Sequence, residues 1–310
     1  FFADNNFYNY NAKDYIQLKK LVKNKNSNCI LGHTKYTTSG SKNNTINMPF
    51  ISSNKFGIYS LAFNGNIPFE NDKYINDTQM IIDYINNKSV HYRTFNEVLI
   101  DFINNFERAY SLIIQFENIQ YILKDKYGVR PLFYNEEFYF ASESNILKNK
   151  VLEVEEGVIL SIVNNKITKV FKINNDKKSC IFEYIYFMKN QSYFDNMKVA
   201  LYRQNVASMM AKRDTNKYDS DYIVCGVPNT GNEYAIHYAK NMNIEYKEYI
   251  TKNKKIQRTF ILENDEMRNK HASSKYILSD ELKGKKIILI DDSIVRGITL
   301  KNLIKNLKSK

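Results

Sequence analysis

One segment constrains the fold of this chain more than any other, because an apolar run there ends in two aspartates and a glycine-containing loop (residues 286–299). The run Lys286–Ile290 predicts a short buried strand, and a helical pattern begins at about Thr299. A strand that leads through a loop into a helix is typical of a parallel α/β sheet. The free N–H groups of the first helical turn make such a loop a phosphate cradle. The carboxylates of Asp291 and Asp292 suit this place if they hold ribose hydroxyls or a Mg²⁺ ion that bridges to a diphosphate.

A bare pair of aspartates before a helix is more often an acidic turn that caps the helix. The whole run 287–299, however, resembles the 5-phosphoribosyl-1-pyrophosphate (PRPP) signature of type I phosphoribosyltransferases, and specifically that of the amidophosphoribosyltransferase family. The resemblance implies that Asp291 and Asp292 bind the ribose and the metal. It also implies that the 5′-phosphate is wrapped by Ser293, Ile294, Val295, Arg296, Gly297, Ile298 and Thr299. Ile298 stands where the family usually has Thr, so backbone donors would replace one hydroxyl.

A second loop of the same half, residues 226–231, resembles the family loop that receives the pyrophosphate. The resemblance implies that PRPP contacts Asn229, Thr230 and Gly231, with Thr230 as a further Mg²⁺ ligand. Asn229 stands where the family has an acid, which removes a negative charge near the pyrophosphate. Without the resemblance, these residues are simply a turn from a strand to a helix.

Two further segments of this half resemble the family. Residues 252–261 are similar to its flexible catalytic loop, where Lys254 and Arg258 would close over PRPP and exclude water. The alternative for these residues is a solvated run of charges. Residues 179–187 are similar to the family's CxFEYVYF segment, and Arg203 falls at the matching position downstream, whereas residues 188–191 depart from the ARPD that follows in the family.

The first half carries three short motifs, at residues 32–40, 63–66 and 76–78. Taken singly they predict a turn at Asn64-Gly65, a helix N-cap at Asp77 and an interior side chain at His33. Together and in order they resemble the class II glutamine amidotransferase domain. The resemblance implies that the Asn64 amide and the Gly65 N–H stabilise the oxyanion of glutamine hydrolysis. It also implies that Asp77 binds the α-amino group of glutamine and that Lys35 binds its α-carboxylate, with Lys where the family has Arg.

The nucleophile expected from this resemblance is an N-terminal cysteine whose own α-amine moves the proton. Residue 1 is Phe, and the three cysteines are Cys29, Cys180 and Cys225. Either a leading segment is missing from this sequence, or the first half has lost glutaminase activity and the second half uses free ammonia. We expect the first explanation, and we expect the C-terminal end to be incomplete as well, because the run of strands stops short of a doubly wound sheet.

The two halves of the chain differ in net charge and in the pattern of predicted secondary structure. Residues 1–170 have a net charge of +2 and read mainly as β-strands, whereas residues 171–310 have a net charge of +10 and alternate strands with helices. We therefore predict two domains, residues 1–173 and 174–310, joined at residues 174–178. The resemblance implies an α+β N-terminal-nucleophile (Ntn) glutaminase domain of αββα architecture, followed by an α/β type I phosphoribosyltransferase domain with a parallel sheet. Strands are predicted at 29–36, 59–63, 109–116, 120–123, 158–163, 222–227 and 286–290, and helices at 78–85, 95–105, 199–212, 233–242 and from 299.

The function implied by the resemblance is the first step of de novo purine synthesis, in which glutamine, PRPP and water give 5-phosphoribosylamine, glutamate and pyrophosphate. The alternative enzyme is an ammonia-dependent phosphoribosyltransferase with an inactive glutaminase domain. A basic nucleic-acid-binding protein is a further alternative from another class, suggested by the charge of the second half. No aromatic-plus-Arg binding motif supports it, so nucleic acid is not expected as a partner.

The remaining expectations concern cofactor, assembly and compartment. The resemblance implies Mg²⁺. It leaves an iron–sulfur cluster at Cys180 open, since the matching position is a ligand in some relatives, but the cluster is not supported within this chain because its other ligands would lie beyond Lys310. Relatives form homo-oligomers, and the same is expected for this chain. The few scattered cysteines point to a reducing compartment, and neither a signal peptide nor an apolar stretch of membrane-spanning length is present, which favours the cytoplasm.

Overall fold

The computed structural model divides into two compact units, Phe1–Cys180 and Ile181–Lys310. Because each unit has its own sheets and core, each is considered by itself. The structure describes residues 2–3, 6–7, 10, 12, 14–23, 27, 29–34, 48–68, 73–74, 76–253, 275–294 and 297–310.

A six-stranded antiparallel sheet forms the centre of the first unit. Its strands are β3 (Phe50–Asn54), β4 (Gly57–Gly65), β5 (Tyr110–Phe116), β6 (Ile119–Lys124), β10 (Val158–Val163) and β11 (Lys166–Lys172), in the order β11-β10-β6-β5-β4-β3. A three-stranded sheet contains β7 (Phe133–Asn135), β8 (Phe140–Ala141) and β9 (Val151–Glu153). The helices are α1 (Tyr15–Val22), α2 (Asp77–Ser89) and α3 (Phe95–Asn105), and a short pair, β1 (Phe2–Ala3) and β2 (Asn6–Phe7), lies near the start of the chain.

The two-residue periodicity of the strands places a core on each face of the large sheet. Leu112 and Ile114 of β5 pack in one cluster with Ile81 of α2 and Leu99 of α3. The residue between them, Ile113, packs instead with side chains that include Leu132, Val154 and Leu160. A capping box fixes the start of α3, since the side chains of Thr94 and Glu97 each accept a backbone N–H of the other residue.

The second unit is built on a parallel sheet, as predicted. Its strands are β14 (Tyr222–Gly226), β15 (Glu245–Tyr246) and β18 (Lys286–Ile290), in the order β15-β14-β18. Antiparallel pairs are formed by β12 (Tyr193–Phe194) with β13 (Met197–Lys198) and by β16 (Ile250–Lys252) with β17 (Tyr276–Leu278). The helices are α4 (Val199–Arg213), α5 (Thr230–Met242) and α6 (Ile298–Lys308), with a π-helical turn at Glu183–Phe187 and a 3₁₀ turn at Asp280–Leu282. The other 3₁₀ turn, Ser144–Ile146, belongs to the first unit.

Helices cover both faces of this parallel sheet. Val224 and Ile288 face Ala207 of α4 and Ala235 of α5, whereas the alternate residues face the cluster that contains Leu303 of α6. Such an arrangement leaves the carboxyl ends of the strands as the open edge at which α/β sheets bind ligands. Asp291 and Asp292 follow β18 at this edge.

Most predicted elements are present, and their ends differ by a few residues. The strand predicted from Cys29 to Tyr36 is the exception, since Cys29 makes only an isolated bridge and residues 30–34 form no strand. The helix predicted at 78–85 begins at Asp77, and its N-cap is Asn76, whose side chain accepts the N–H of Gln79 at 2.9 Å. The predicted linker at 174–178 lies in an irregular stretch, residues 173–180. None of the helices in the described residues combines the length and apolar character needed to cross a bilayer.

Candidate active sites

The twin aspartates at the end of β18 are half-buried. The side chain of Asp291 accepts the N–H of Asp292 at 2.9 Å, and that of Asp292 accepts the hydroxyl of Ser293 at 2.7 Å. Burial, assisted by the negative charge of Asp292, raises the pKa of Asp291 to about 6, against the opposing effects of the bond from the Asp292 N–H and of the cation Lys275. Burial likewise raises the pKa of Asp292, opposed by the bond from Ser293 and by the cations Arg203 and Lys252. Two carboxylates held together in this way favour the arrival of a cation.

The first turn of α5 lies directly against these aspartates. The N–H of Val227 donates to the carbonyl of Ile290 at 2.8 Å, which joins the loop before α5 to the end of β18. A Cβ atom added to Gly231 would lie 2.9 Å from the Ile290 carbonyl oxygen and 3.3 Å from Asp291 Cα. Glycine is therefore required at this position by close backbone approach. The structure thus brings together Gly231 and the adjacent Asn229 and Thr230 with the aspartates, as the site prediction requires.

Asn229 is free to contact a ligand, because it is exposed and its side chain does not cap α5, although it occupies the N-cap position. Thr230 is the first residue of α5 and is half-buried. The helix N-terminus behind them presents backbone N–H groups and the positive end of the helix dipole. This turn can receive a polyanion next to a carboxylate pair.

The loop after Ser293 enters α6 through Gly297, whose φ of 69° lies in the left-handed region. The carbonyl of Gly297 accepts the N–H of Lys301 at 2.8 Å, so α6 begins directly after the loop. Ile294 is 72% exposed. Val295, Arg296 and the side chains of Ile298 and Thr299 lie outside the described residues.

Two lysines and a tyrosine approach the aspartates from the hairpin of β16 and β17. Burial lowers the pKa of Lys275, the nearby Lys252 lowers it further, and Asp291 opposes the shift. Burial raises the pKa of Tyr276 to about 12, with Asp291 and Asp292 adding to the shift. Lys252, Lys275 and Tyr276 were missing from the predicted site, although Lys252 opens the segment that resembles the catalytic loop. The predicted residues Lys254 and Arg258 lie outside the described part of the chain.

In the first unit, Asn64 and Gly65 end β4, where they pair with Ser111 and Tyr110 of β5. A Cβ atom at Gly65 would lie 2.5 Å from the Phe63 ring and 2.8 Å from the Ala109 carbonyl oxygen, so this turn also requires glycine. Nε2 of His33 lies 3.1 Å from the carbonyl oxygen of Phe63.

Asp77 lies against the same turn. Its Oδ2 accepts the N–H of Ile67 at 3.3 Å, and the residue is buried at the start of α2. The fold therefore brings Asp77 next to the segment that follows Asn64 and Gly65, as the prediction of a shared site requires. Lys35 lies outside the described residues.

Within the described residues, no group of three or more His, Cys, Asp or Glu side chains is placed to hold a metal ion. Cys180 is a free, half-buried cysteine, and Cys29 and Cys225 are free and buried. A cation at Asp291 and Asp292 would therefore need further ligands from a bound molecule, from water or from hydroxyl groups.

Curated relatives resemble the chain over almost its whole length. It is 31% identical over 303 residues to an amidophosphoribosyltransferase of a Synechocystis species, which covers 90% of this chain and 61% of the relative. It is 30% identical over 302 residues to the Bacillus subtilis enzyme of the same name, and the match covers 90% of this chain and 62% of the relative. A Methanocaldococcus jannaschii relative is 26% identical over 310 residues, covering 88% and 65%. No protein-family profile matches the chain.

The chain is similar to these amidophosphoribosyltransferases over 88–90% of its length. The resemblance predicted from the sequence motifs is thereby confirmed. The chain spans 61–65% of the length of these three relatives.

Solved structures show the same similarity. The glutamine PRPP amidotransferase of B. subtilis, in complex with ADP and GMP, superposes with a TM-score of 0.72 at 26% identity and covers 89% of this chain and 64% of that chain. A structure described as the allosteric regulatory enzyme of purine biosynthesis superposes with a TM-score of 0.70 at 27% identity, covering 84% and 60%. The fold of the chain therefore resembles these solved structures over 84–89% of its length.

Proposed function

We propose that this chain carries the glutamine and PRPP sites of an amidophosphoribosyltransferase, which converts glutamine, PRPP and water into 5-phosphoribosylamine, glutamate and pyrophosphate. In this proposal residues 1–173 are an Ntn glutaminase domain and residues 174–310 a type I phosphoribosyltransferase domain. The observation that carries the proposal is the close packing of the first turn of α5 against the end of β18, where Gly231 leaves no room for a Cβ atom beside Ile290 and Asp291. A helix N-terminus for phosphate and a carboxylate pair for ribose and metal meet there.

The second unit would act mainly by positioning PRPP. Asp291 and Asp292 orient the ribose, while the turn Asn229–Gly231 binds the diphosphate that leaves. Ammonia then attacks C1 of the ribose, the bond from C1 to the diphosphate breaks, and a proton is lost from the new amine. Lys252 and Lys275, which interact electrostatically with the two aspartates, add positive charge beside the departing anion.

The residues present fit Mg²⁺. Carboxylate oxygens are ligands that a hard cation prefers, and a bound cation would favour the charged form of Asp291, whose pKa is raised mainly by burial. Asp291, Asp292 and Thr230 would hold the ion together with oxygens of PRPP. When bound, it would neutralise charge on the diphosphate.

The first unit would hydrolyse glutamine. The Asn64 amide and the Gly65 N–H would stabilise the oxyanion, Asp77 would bind the α-amino group and Lys35 the α-carboxylate. Asp77 supports this assignment, because its bond to the Ile67 N–H fixes it near the proposed oxyanion donors. We further propose a cytoplasmic homo-oligomer, as expected from the sequence.

Calorimetric titration with PRPP and Mg²⁺ tests the PRPP site. We expect the wild-type chain to bind, and Asp291→Asn or Asp292→Asn to weaken binding by about tenfold or more, because a charged ligand contact contributes about 1.5–3 kcal/mol. The matched control is Asp219→Asn, whose carboxylate bonds Lys286 at the opposite end of β18, at 2.7 Å. A wild-type chain that does not bind, or an equal loss in the control, would contradict the proposal.

A second experiment tests whether the chain uses ammonia or glutamine as its nitrogen source. The chain that begins at Phe1 should form 5-phosphoribosylamine from PRPP and ammonia only, whereas a protein that begins with the family's cysteine should also use glutamine. Hydrolysis of glutamine by the chain that begins at Phe1 would show that the nucleophile has been wrongly assigned.

A further inference from the structure

We propose that Asn190 is a positioning residue for the diphosphate-binding turn, because its side-chain amide links the buried guanidinium of Arg203 to the carboxylate of Glu233. The link to PRPP rests on the proposed function. The geometric part of the inference, that Asn190 holds the first turn of α5 in place, stands on the contacts of the second unit alone.

Arg203 is the fixed end of this link. It lies on α4, is 3% exposed, and donates from Nε to the Tyr184 carbonyl at 2.7 Å and from Nη2 to the Met188 carbonyl at 2.8 Å. Its Nη1 donates to Oδ1 of Asn190. Each guanidinium nitrogen thus bonds a different residue of the segment 184–190, so this segment cannot shift without leaving buried donors unsatisfied.

The Asn190 amide connects this fixed segment to α5. Its Nδ2 donates to Oε2 of Glu233 at 2.8 Å, while its Oδ1 accepts from Arg203. A guanidinium only donates and a carboxylate only accepts, so this orientation of the amide is the only one that satisfies both neighbours. Asn190 therefore relays the interaction between a buried cation and an anion without bringing the two charges into contact.

Glu233 lies in the first turn of α5, three residues after Thr230. A second bond joins the same part of the helix to the same segment, because the Tyr234 hydroxyl donates to the Ile185 carbonyl at 3.1 Å. On the other side, Gly231 touches the Asp291 backbone. The turn is thus held between the segment 184–190 and the end of β18, and loss of the Asn190 bond would release one side of it.

Asn190 lies in the segment where this chain departs from the family's ARPD, at the position of the proline. Proline has no side-chain donor or acceptor, so it could not make either bond. The relay is consequently a feature of this chain, and its contribution is separable from the ligand contacts that the family motifs predict.

Exchanging the amide and the carboxylate between positions 190 and 233 tests the relay. Asn190→Ala removes both bonds, and Asn190→Asp places a carboxylate against that of Glu233. In the double variant Asn190→Asp/Glu233→Gln, the new carboxylate accepts from Arg203 and the new amide donates to it, which restores the link. The matched control is Asn241→Ala, which removes an amide bond from α5 to Ser208 of α4 (3.1 Å) at the far end of the helix.

The variants are compared in the full chain by two measurements, steady-state kinetics and backbone hydrogen exchange. Steady-state kinetics with PRPP and ammonia should show KM for PRPP raised about tenfold in Asn190→Ala, more in Asn190→Asp, and restored to within about threefold in the double variant, with kcat within about twofold throughout. Hydrogen exchange of the backbone amides at 230–233 should be faster in Asn190→Ala and unchanged in Asn241→Ala.

The two readouts separate this inference from the proposed function. If the wild-type chain does not bind or use PRPP, the proposed function fails and hydrogen exchange alone decides whether Asn190 holds the turn. Unchanged exchange in Asn190→Ala overturns the inference. So does a double variant that is no better than Asn190→Asp, or a control that raises KM as much as Asn190→Ala.

Discussion

Gly231 occupies the closest approach between α5 and β18, and a single methyl group there tests how tightly the site is built. In Gly231→Ala the added Cβ would lie 2.9 Å from the Ile290 carbonyl oxygen, so the helix must move away from the aspartates. We expect PRPP binding to weaken by about tenfold or more, since overpacking costs about 1–3 kcal/mol. Calorimetric titration with PRPP and Mg²⁺ measures the loss.

The control for this substitution is Gly32→Ala, because no atom of the described residues lies within 4 Å of a Cβ added at Gly32 and the residue belongs to the other unit. PRPP affinity should be unchanged in the control. Wild-type affinity in Gly231→Ala would show that α5 does not need its present distance from β18.

The aspartate pair was predictable because both residues follow directly on an apolar strand, so their place at the sheet edge depends on local sequence alone. The contact of Gly231 with Asp291 was predictable only through the family resemblance, since the two residues are far apart in the chain. The relay through Asn190 was not predicted. An Asn at a position that departs from the motif marks the segment as unusual, but its two partners become visible only when α4 and α5 are packed together.

At the scale of the elements, Asp214 joins α4 to α5. It caps the end of α4 and accepts the hydroxyls of Tyr238 and Tyr218, the latter at 2.8 Å, and the N–H of Asn216 at 3.0 Å. The bond from Tyr238, with the other bonds, lowers the pKa of Asp214 to about 2. Because the folded-state pKa lies below the ordinary value, the ionised carboxylate stabilises the protein above about pH 4, and this contribution disappears as the pH falls through 2.

Asp214→Asn should therefore lower the melting temperature at pH 7. The difference from the wild type should narrow as the pH falls below about 4. Circular dichroism melting curves between about pH 7 and pH 2.5 measure this, with the exposed Asp221→Asn as a control. A difference that stays constant over this range would mean that the ionised Asp214 does not stabilise the contact between the helices.

In the first unit, β6 is joined to β9 by a buried ion pair. Nζ of Lys124, fully buried, donates to Oε1 of Glu153 at 2.7 Å and to the Val154 carbonyl at 3.1 Å. Glu153 also bonds Lys177 at 2.9 Å. Glu153→Ala should lower the free energy of unfolding by about 3–5 kcal/mol, because a buried cation loses its anion. Urea denaturation measures this loss.

Lys124→Met is the paired variant. It removes the buried charge and leaves Glu153 with Lys177, so it should cost less than Glu153→Ala. Equal losses in the two variants would show that the ion pair contributes through packing alone.

The elements themselves were largely predictable, since the strand at Lys286–Ile290 and the helix at Phe95–Asn105 have the bounds expected from periodicity and capping. The strand predicted from Cys29 onward is wrong over residues 30–34. Exposure does alternate there, with Ile30 exposed and Leu31 half-buried, but these residues form no ladder. Alternation reports which side of a chain faces the interior, whereas a strand also needs a neighbour whose N–H and C=O groups are in register.

For the molecule as a whole, the property that bears on the choice between PRPP and nucleic acid is the net charge of +12, most of which lies in the second half. If this charge serves a small polyanion, PRPP binding should weaken moderately at high salt and should persist in excess duplex DNA, because the carboxylate pair and the turn Asn229–Gly231 recognise PRPP and not a nucleic-acid backbone. Calorimetric titration with PRPP and Mg²⁺, with and without the competitor, measures this. Complete displacement of PRPP by DNA would favour the nucleic-acid-binding alternative.

The sheet order of the second unit also fixes where the two aspartates lie. In the part of the chain that the structure describes, the five residues of β18 pair in parallel with β14, from Lys286 opposite Tyr222 to Ile290 opposite Gly226. A slip of this ladder by one residue would turn every side chain of β18 to the other face of the sheet. It would also move Asp291 and Asp292 along the strand by about 3.3 Å, away from the first turn of α5.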